Sequence, residues 1–102
     1  MKVIEIKENQ INEIINKSNQ KILIDCYAPW CGPCRMLSPI IDELSEEVSD
    51  CEFYKINVDE ANVFAHSYGI MSIPTILLFE DNELKETIVG FKTKEELLRI
   101  LK

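Results

Sequence analysis

The sequence predicts an α/β fold, with a mixed central sheet of about five strands flanked by about four helices. Short apolar segments alternate with segments of helical periodicity, one apolar segment is almost unbroken, and the last two are separated by only a few polar residues. A chain of 102 residues has room for one hydrophobic core, so we expect a single domain over residues 1–102.

The first half of the chain alternates between strand and helix patterns. Residues 3–6 predict a short strand, and isoleucines at helical spacing predict a helix over residues 8–17. Residues 22–27 are nearly all apolar, which is typical of a strand covered on both faces. A long helix is expected from Cys34 onward, and Pro39 inside it should produce a kink because proline lacks the amide donor.

The next segment continues this alternation. Residues 53–58 predict a third strand, and a short helix is expected around residues 62–66, ending near Gly69. Strands that are separated by helices should run parallel, with right-handed crossovers.

The chain is expected to close with a hairpin and a helix. Strands are predicted over residues 75–79 and 84–89, and the polar stretch 80–83 between them predicts an antiparallel turn. Thr93 and Glu96 have the spacing of a capping box, which predicts the start of the last helix.

Charge and hydropathy exclude several classes of function. A net charge of -7 argues against nucleic-acid binding, which needs a basic face. The first residues contain no apolar stretch suited to a signal peptide, and no segment approaches the roughly 20 apolar residues of a membrane span. We therefore expect a cytoplasmic protein that binds neither nucleic acid nor membrane. In that reducing setting a close cysteine pair has a catalytic or metal-binding role.

The most informative segment is Trp30-Cys31-Gly32-Pro33-Cys34, at the predicted carboxyl end of the second strand, where open α/β sheets form their sites. At a helix N-terminus, the thiolate of Cys31 would face unpaired N–H groups and the positive end of the helix dipole. Side chains at i and i+3 have Cβ atoms roughly 5–6 Å apart, so a disulfide needs only modest tightening. The pattern predicts thiol–disulfide exchange.

Position along the helix predicts different roles for the two thiols. Cys31, nearer the loop, is expected to be the exposed nucleophile, and Cys34, one turn into the helix, to be the more buried resolving thiol. Zinc is an alternative, with Cys26, Cys51 and His66 as remaining ligand candidates, although none forms a second close pair. A fixed structural disulfide is disfavoured because so short a loop removes little unfolded-state entropy.

Several separated motifs, in order along essentially the whole chain, resemble the thioredoxin family. They are Asp25 in an apolar strand, Ala28-Pro29-Trp30-Cys31-Gly32-Pro33-Cys34-Arg35, Pro39, Lys55-Ile56-Asn57-Val58-Asp59, Tyr68-Gly69-Ile70, Ile73-Pro74-Thr75 and Val89-Gly90. This set is far more specific than a lone C-x-x-C.

The resemblance implies roles for residues outside the cysteine pair. Asp25 would be a buried carboxylate that assists proton transfer at Cys34, and Lys55 would be its partner. Pro74 would be a cis-proline facing the cysteines, with Ile73 offering backbone groups to an extended substrate. From the residues alone, Asp25 could equally be a strand-end aspartate turned to solvent, and Lys55 an exposed strand lysine.

The resemblance also implies a docking surface for substrates, formed by Trp30, Gly32, Pro33 and Gly90. From the residues alone, plain packing explains Trp30 and a strand bend explains Gly90 equally well.

The chain departs from the common family pattern at a few positions. Tyr27 stands where tryptophan is frequent, Ser72 where glycine is frequent, and Asp81-Asn82 replaces a common Asn-Gly turn. Pro29 before the tryptophan is a further variation. These differences bear on partner preference rather than on the reaction.

The resemblance implies a monomeric protein-disulfide reductase that a thioredoxin reductase re-reduces. Gly-Pro between the cysteines resembles the reducing branch of the family, whereas more oxidising relatives often carry histidine there. No segment resembles a flavin or nicotinamide site, so we expect no cofactor. Two alternatives remain: a thioredoxin-fold adaptor without redox turnover, and a disulfide oxidase or isomerase.

Overall fold

The computed structural model describes residues 2–102 and contains the predicted elements. The strands are β1 (Val3–Glu5), β2 (Lys21–Tyr27), β3 (Cys51–Asn57), β4 (Thr75–Glu80) and β5 (Glu83–Val89). The helices are α1 (Ile11–Lys17), α2 (Gly32–Glu47), α3 (Asn62–Ser67) and α4 (Lys94–Leu101). Five strands form one mixed sheet in the order β1-β3-β2-β4-β5, which confirms the predicted fold class.

Local sequence explains where several elements begin and end. The predicted capping box at α4 is present, because Thr93 accepts from the backbone of Glu96 and the Glu96 side chain accepts from the backbone of Thr93. Asp81 and Asn82 have φ values of 55° and 67°, the left-handed pair that a tight two-residue hairpin requires. Pro39 lies inside α2, and the kink there stays a prediction.

The orientation of β4 corrects the sequence prediction. β1 and β2 run parallel to β3, but β4 runs antiparallel to β2, with Thr75 opposite Cys26. The six residues of α3 span only about 9 Å, whereas the seven-residue β3 spans about 23 Å. This helix is too short to carry the chain back across the sheet, so β4 begins at the edge where β3 ends.

The hydrophobic core occupies both faces of the sheet. On one face, α2 and α4 pack against buried strand residues such as Leu23 and Ile76. On the other face, α1 and α3 pack against residues such as Ile24 and Leu77. Since side chains alternate along a strand, Asp25 lies on the same face as Leu23, beneath α2. Within residues 2–102, none of the helices is long and apolar enough to span a membrane.

Candidate active site

The cysteine pair lies at the junction of β2 and α2. Cys31 is the N-cap residue of α2 and is joined by a disulfide to Cys34, with the two Cα atoms 5.2 Å apart. The backbone N–H of Cys34 donates a hydrogen bond to Sγ of Cys31 at 3.2 Å. Gly32 and Pro33 form the first turn between them. N–H groups in the first turn of a helix have no partner within the helix, so proline costs no hydrogen bond there.

The predicted difference in exposure between the two sulfurs is wrong for this disulfide form. Cys31 is 4% exposed and Cys34 is 3% exposed, so both are buried. The disulfide holds Sγ of Cys31 against the start of α2, and the same atom lies 3.8 Å from the carbonyl oxygen of Ile73. The two sulfurs differ in their surroundings instead: Cys31 contacts the Ile73 loop, and Cys34 lines an inner cavity.

The loop before β4 completes the outer side of the site. The Ile73–Pro74 peptide bond is cis, as the resemblance implies. The N–H of Gly90 donates to the carbonyl of Pro74 at 2.8 Å, and the Thr75 hydroxyl donates to the carbonyl of Ser72 at 2.6 Å. These bonds hold the Ile73 backbone beside Cys31. Gly90 has a φ of 92°, which glycine tolerates far better than other residues.

Asp25 is a buried carboxyl group, so the alternative of an aspartate turned to solvent does not apply. It is 3% exposed, and its Oδ1 has no hydrogen-bond partner among the residues that the structure describes. Burial raises the pKa of Asp25 from 3.8 to about 7, the charge of Lys55 opposes this shift, and the charge of Asp42 adds to it. Near neutral pH this group can therefore both take up and release a proton.

A cavity of about 270 Å³ connects Asp25 with the inner cysteine. It is lined by Asp25, Tyr27, Ala28, Pro29, Cys34, Arg35, Ser38 and Lys55. The cavity is large enough for water, and its lining includes the polar groups of Asp25, Ser38 and Lys55. Water in this space would connect the carboxyl group with the sulfur of Cys34.

Lys55 is half-buried rather than an exposed strand lysine. It lies in register with Asp25, on the neighbouring strand. Within residues 2–102, Oδ1 of Asp25 has no hydrogen-bond partner and none of the ion pairs includes Lys55. Lys55 therefore acts on Asp25 through its charge, which lowers the pKa of the carboxyl group.

The rim of the site presents apolar side chains to solvent. Trp30 is 67% exposed, so plain packing does not explain it, and its Nε1 donates to Oδ2 of Asp59 at 2.8 Å. Pro33 is exposed beside it, and Met71 on the opposite loop is 96% exposed. Asp59 belongs to one of the family motifs, but the sequence predicts no role for it. Its contact with Trp30 joins residues that are 29 positions apart, so no local sequence pattern predicts it.

The other two cysteines are separate from the site. Cys26 and Cys51 are buried, and burial raises the pKa of Cys51 to about 12 and that of Cys26 further still. Both therefore stay protonated at neutral pH. Within residues 2–102, no three histidine, cysteine, aspartate or glutamate side chains are placed to hold a metal ion, and His66 lies on the exposed surface of α3.

Known proteins resemble the chain over most of its length. The family model described as Thioredoxin matches residues 2–102. The chain is 49% identical over 81 residues to a thioredoxin of Bacillus subtilis, with 78% of each protein covered. It is 42% identical over 85 residues to a thioredoxin of Mycoplasmoides gallisepticum, with 83% of this chain and 85% of that protein covered.

A solved structure supports the same relationship. A mutant thioredoxin from Halobacterium salinarum matches with a TM-score of 0.89 at 34% identity, over 98% of this chain and 88% of that one. Because the family match spans residues 2–102 and includes the joined cysteine pair, the chain belongs to the thioredoxin family and is a thiol–disulfide oxidoreductase that reduces protein disulfides.

Proposed function

We propose that the protein is a monomeric, cytoplasmic electron carrier in which Cys31 attacks the substrate disulfide and Cys34 releases the product. The observation that carries this assignment is the different surroundings of the two sulfurs. Sγ of Cys31 accepts the N–H of Cys34 at the start of α2, and Cys34 shares a cavity with Asp25.

In the first step, the Cys31 thiolate attacks one sulfur of the substrate disulfide. A bond forms between Sγ of Cys31 and that sulfur, the substrate S–S bond breaks, and the leaving thiolate takes a proton from solvent. The N–H of Cys34 and the positive end of the α2 dipole favour negative charge on Cys31 over negative charge deeper in the helix.

In the second step, Cys34 attacks the mixed disulfide. The Cys34 thiol must first lose a proton. Asp25 is the proton acceptor that we propose, because it lines the same cavity as Cys34 and its pKa is raised to about 7. The new Cys31–Cys34 bond forms, the substrate leaves as a thiolate, and two electrons have passed to the substrate. Lys55 would stabilise the ionised form of Asp25 before this transfer.

The substrate would dock along the loop before β4. Ile73 can offer its backbone to an extended peptide, with Pro74 beneath it and Gly90 bonded to the Pro74 carbonyl. Trp30 and Pro33, together with Gly32, would contact the substrate on the other side of the disulfide. This surface is mostly apolar, which suits unfolded or extended segments of many proteins.

Electrons must be supplied from outside to re-form the dithiol. Two electrons return to the protein when its disulfide is reduced, and a thioredoxin reductase is the donor that we propose. The same apolar rim would serve this partner, since the reductase must also reach the Cys31–Cys34 disulfide.

Two variants with opposite expected results test the order of attack. Cys34→Ser should trap substrate proteins as mixed disulfides through Cys31, and Cys31→Ser should trap none. Non-reducing electrophoresis of cell extracts detects the traps, and thiol reductant should release them. Traps formed only by Cys31→Ser would reverse the two roles.

A reconstituted assay tests the direction of electron flow. The protein should reduce insulin disulfides when driven by dithiothreitol and, more efficiently, by a candidate thioredoxin reductase. Equilibration with glutathione should give a potential close to the reducing end of the family. A strongly oxidising potential would contradict the proposed role as a reductant.

Sedimentation tests the proposed monomeric state. Measured over a wide range of protein concentration, it should show one monomeric species.

A further inference from the structure

Lys55 lies between two carboxylates on the sheet. β3 is flanked by β1 and β2, and Lys55 is in register with Glu5 on one side and with Asp25 on the other. Register partners of parallel strands project from the same face, so one ammonium group has two carboxylate neighbours. Among the ion pairs formed by residues 2–102, none includes Lys55, so neither carboxylate holds it directly.

Tyr27 links the outer carboxylate to this row. It follows Asp25 by two positions on β2 and therefore shares its face of the sheet. The Tyr27 hydroxyl donates a hydrogen bond to Glu5, and Nζ of Lys55 lies 6.0 Å from the centre of the Tyr27 ring. That distance is at the outer limit of a cation–π contact. The phenol thus gives Glu5 a neutral donor and gives the ammonium group a ring face.

Other charged and titratable groups surround this row. They are Arg35, Cys34 and Asp42 on α2, Cys26 on β2, Glu60 after β3 and Lys7 before α1. Lys7 is paired with Glu60 at 2.8 Å, and Arg35 donates to the carbonyl of Pro29 at 3.4 Å. Lys55 is the cation that lowers the pKa of Asp25.

We propose that Tyr27 and Glu5 are positioning residues for the redox reaction. Their hydrogen bond keeps Glu5 from pairing with Lys55, so the Lys55 ammonium group stays close to Asp25. This inference rests on the proton-transfer role proposed above for Asp25. Glu5 is exposed and Asp25 is buried, so the Lys55 ammonium group keeps more of its hydration when it pairs with Glu5 than when it moves into contact with Asp25. Without the Tyr27 hydroxyl, Glu5 would be the easier partner for Lys55.

Tyr27→Phe tests the proposal because it keeps the ring and removes the hydroxyl. We expect the titration of the Asp25 carboxyl carbon, followed by NMR in the oxidised protein, to move upward by about 0.5–1 pH unit. This is a fraction of the 1–3 units that a nearby opposite charge contributes. The pH profile of insulin reduction should move in the same direction.

A second variant and a matched control make the test specific. Adding Glu5→Gln to Tyr27→Phe removes the competing carboxylate, and the Asp25 titration should return to the wild-type midpoint or below it. Tyr54→Phe removes a similar hydrogen bond elsewhere on the sheet, from the Tyr54 hydroxyl to Glu52 at 2.7 Å. This control should leave the Asp25 titration unchanged.

The possible failures are distinguishable. An unshifted Asp25 titration in Tyr27→Phe would overturn the positioning role, and so would an upward shift that persists when Glu5→Gln is added. A wild-type pH profile of insulin reduction in Asp25→Asn would instead remove Asp25 from catalysis, which is the failure of the proposed function itself.

Discussion

At Asp25, burial and charge act in opposite directions on one carboxyl group. Burial makes the ionised form costly, while Lys55 makes it less so, and the balance raises the pKa to about 7. The same balance makes the group useful for proton transfer and expensive for stability. A residue chosen for folding alone would be apolar at this position, as its strand neighbours are.

We expect Asp25→Asn to stabilise the folded protein, and to do so more at high pH than at low pH. The unfolded acid has a pKa near 3.8 and the folded one near 7, so the folded wild type binds the proton more tightly between these values. The free energy of unfolding of the wild type therefore falls by on the order of 4 kcal/mol as pH rises from about 4 to 7. The Asp25→Asn variant has no carboxyl group to ionise at this position, so its free energy of unfolding does not fall for this reason. Urea unfolding at about pH 4.5 and pH 8 measures the difference.

The exposed Asp50→Asn variant is the control for Asp25→Asn. It should change the unfolding free energy by less than about 0.5 kcal/mol at either pH. An equal gain from Asp25→Asn at both values of pH would contradict the explanation by buried charge.

Single residues were predictable from sequence where local chemistry is decisive. The spacing of Cys31 and Cys34 and their position after a buried strand already predict thiol chemistry. Their equal burial was not predictable, because it depends on Ile73, which approaches Cys31 only in the folded chain. Glu5 was missed for the same reason, since its neighbours Tyr27 and Lys55 are on other strands.

At the scale of elements, connections were harder to predict than the strands and helices themselves. Periodicity identifies α3 as a short helix. It does not say whether the next strand begins at the end of the sheet where β3 ends or at the opposite end. The prediction of a parallel β4 applied a rule for full crossovers, but the six-residue α3 spans less than half the length of β3 and does not return the chain to the other end of the sheet. The antiparallel β4 places Ile73 and Pro74 at the carboxyl end of β2, next to the disulfide.

The hairpin between β4 and β5 should depend on the residue at position 82. Asn82 has a φ of 67°, where a Cβ atom is unfavourable and asparagine is better tolerated than most residues. Asn82→Ala should therefore destabilise the protein by about 1 kcal/mol, and Asn82→Gly should be neutral or stabilising. Denaturant midpoints compare the two variants, and equal effects of alanine and glycine would show that φ is not the cause.

The start of α4 should depend on the hydroxyl of Thr93. This hydroxyl accepts the backbone N–H of Glu96 at 3.2 Å, and Thr93→Ala removes it. The expected loss is about 1 kcal/mol in the free energy of unfolding, whereas Thr93→Ser keeps the acceptor and should lose little. If serine destabilises as much as alanine, packing of the threonine methyl group rather than the cap is responsible.

At the scale of the whole molecule, one sheet supports two core layers. Leu44 of α2 is buried in the layer on one face, and Phe79 of β4 is buried beneath α1 and α3 on the other. Both layers use the same central strands, so neither face can lose its packing without disturbing the other. We propose on this basis that residues 1–102 form one cooperative domain.

Unfolding of two core variants should show this cooperativity. Leu44→Ala and Phe79→Ala remove large buried side chains and should each cost about 2–5 kcal/mol. In both variants, the fluorescence of Trp30 near the site and the far-UV circular dichroism should report one midpoint. A Phe79→Ala variant that loses circular dichroism before the Trp30 signal changes would indicate two independent units.

The position of β2 in the sheet also has a consequence for protein synthesis. β2 carries the chain into the cysteine pair, but both of its sheet neighbours, β3 and β4, come later in the sequence. On the ribosome, the two thiols therefore emerge well before the strands that bury Asp25 and before the loop that faces Cys31. A truncated chain that stops before β4 would carry the cysteine motif without the docking surface proposed above, which is complete only when most of the chain has been made.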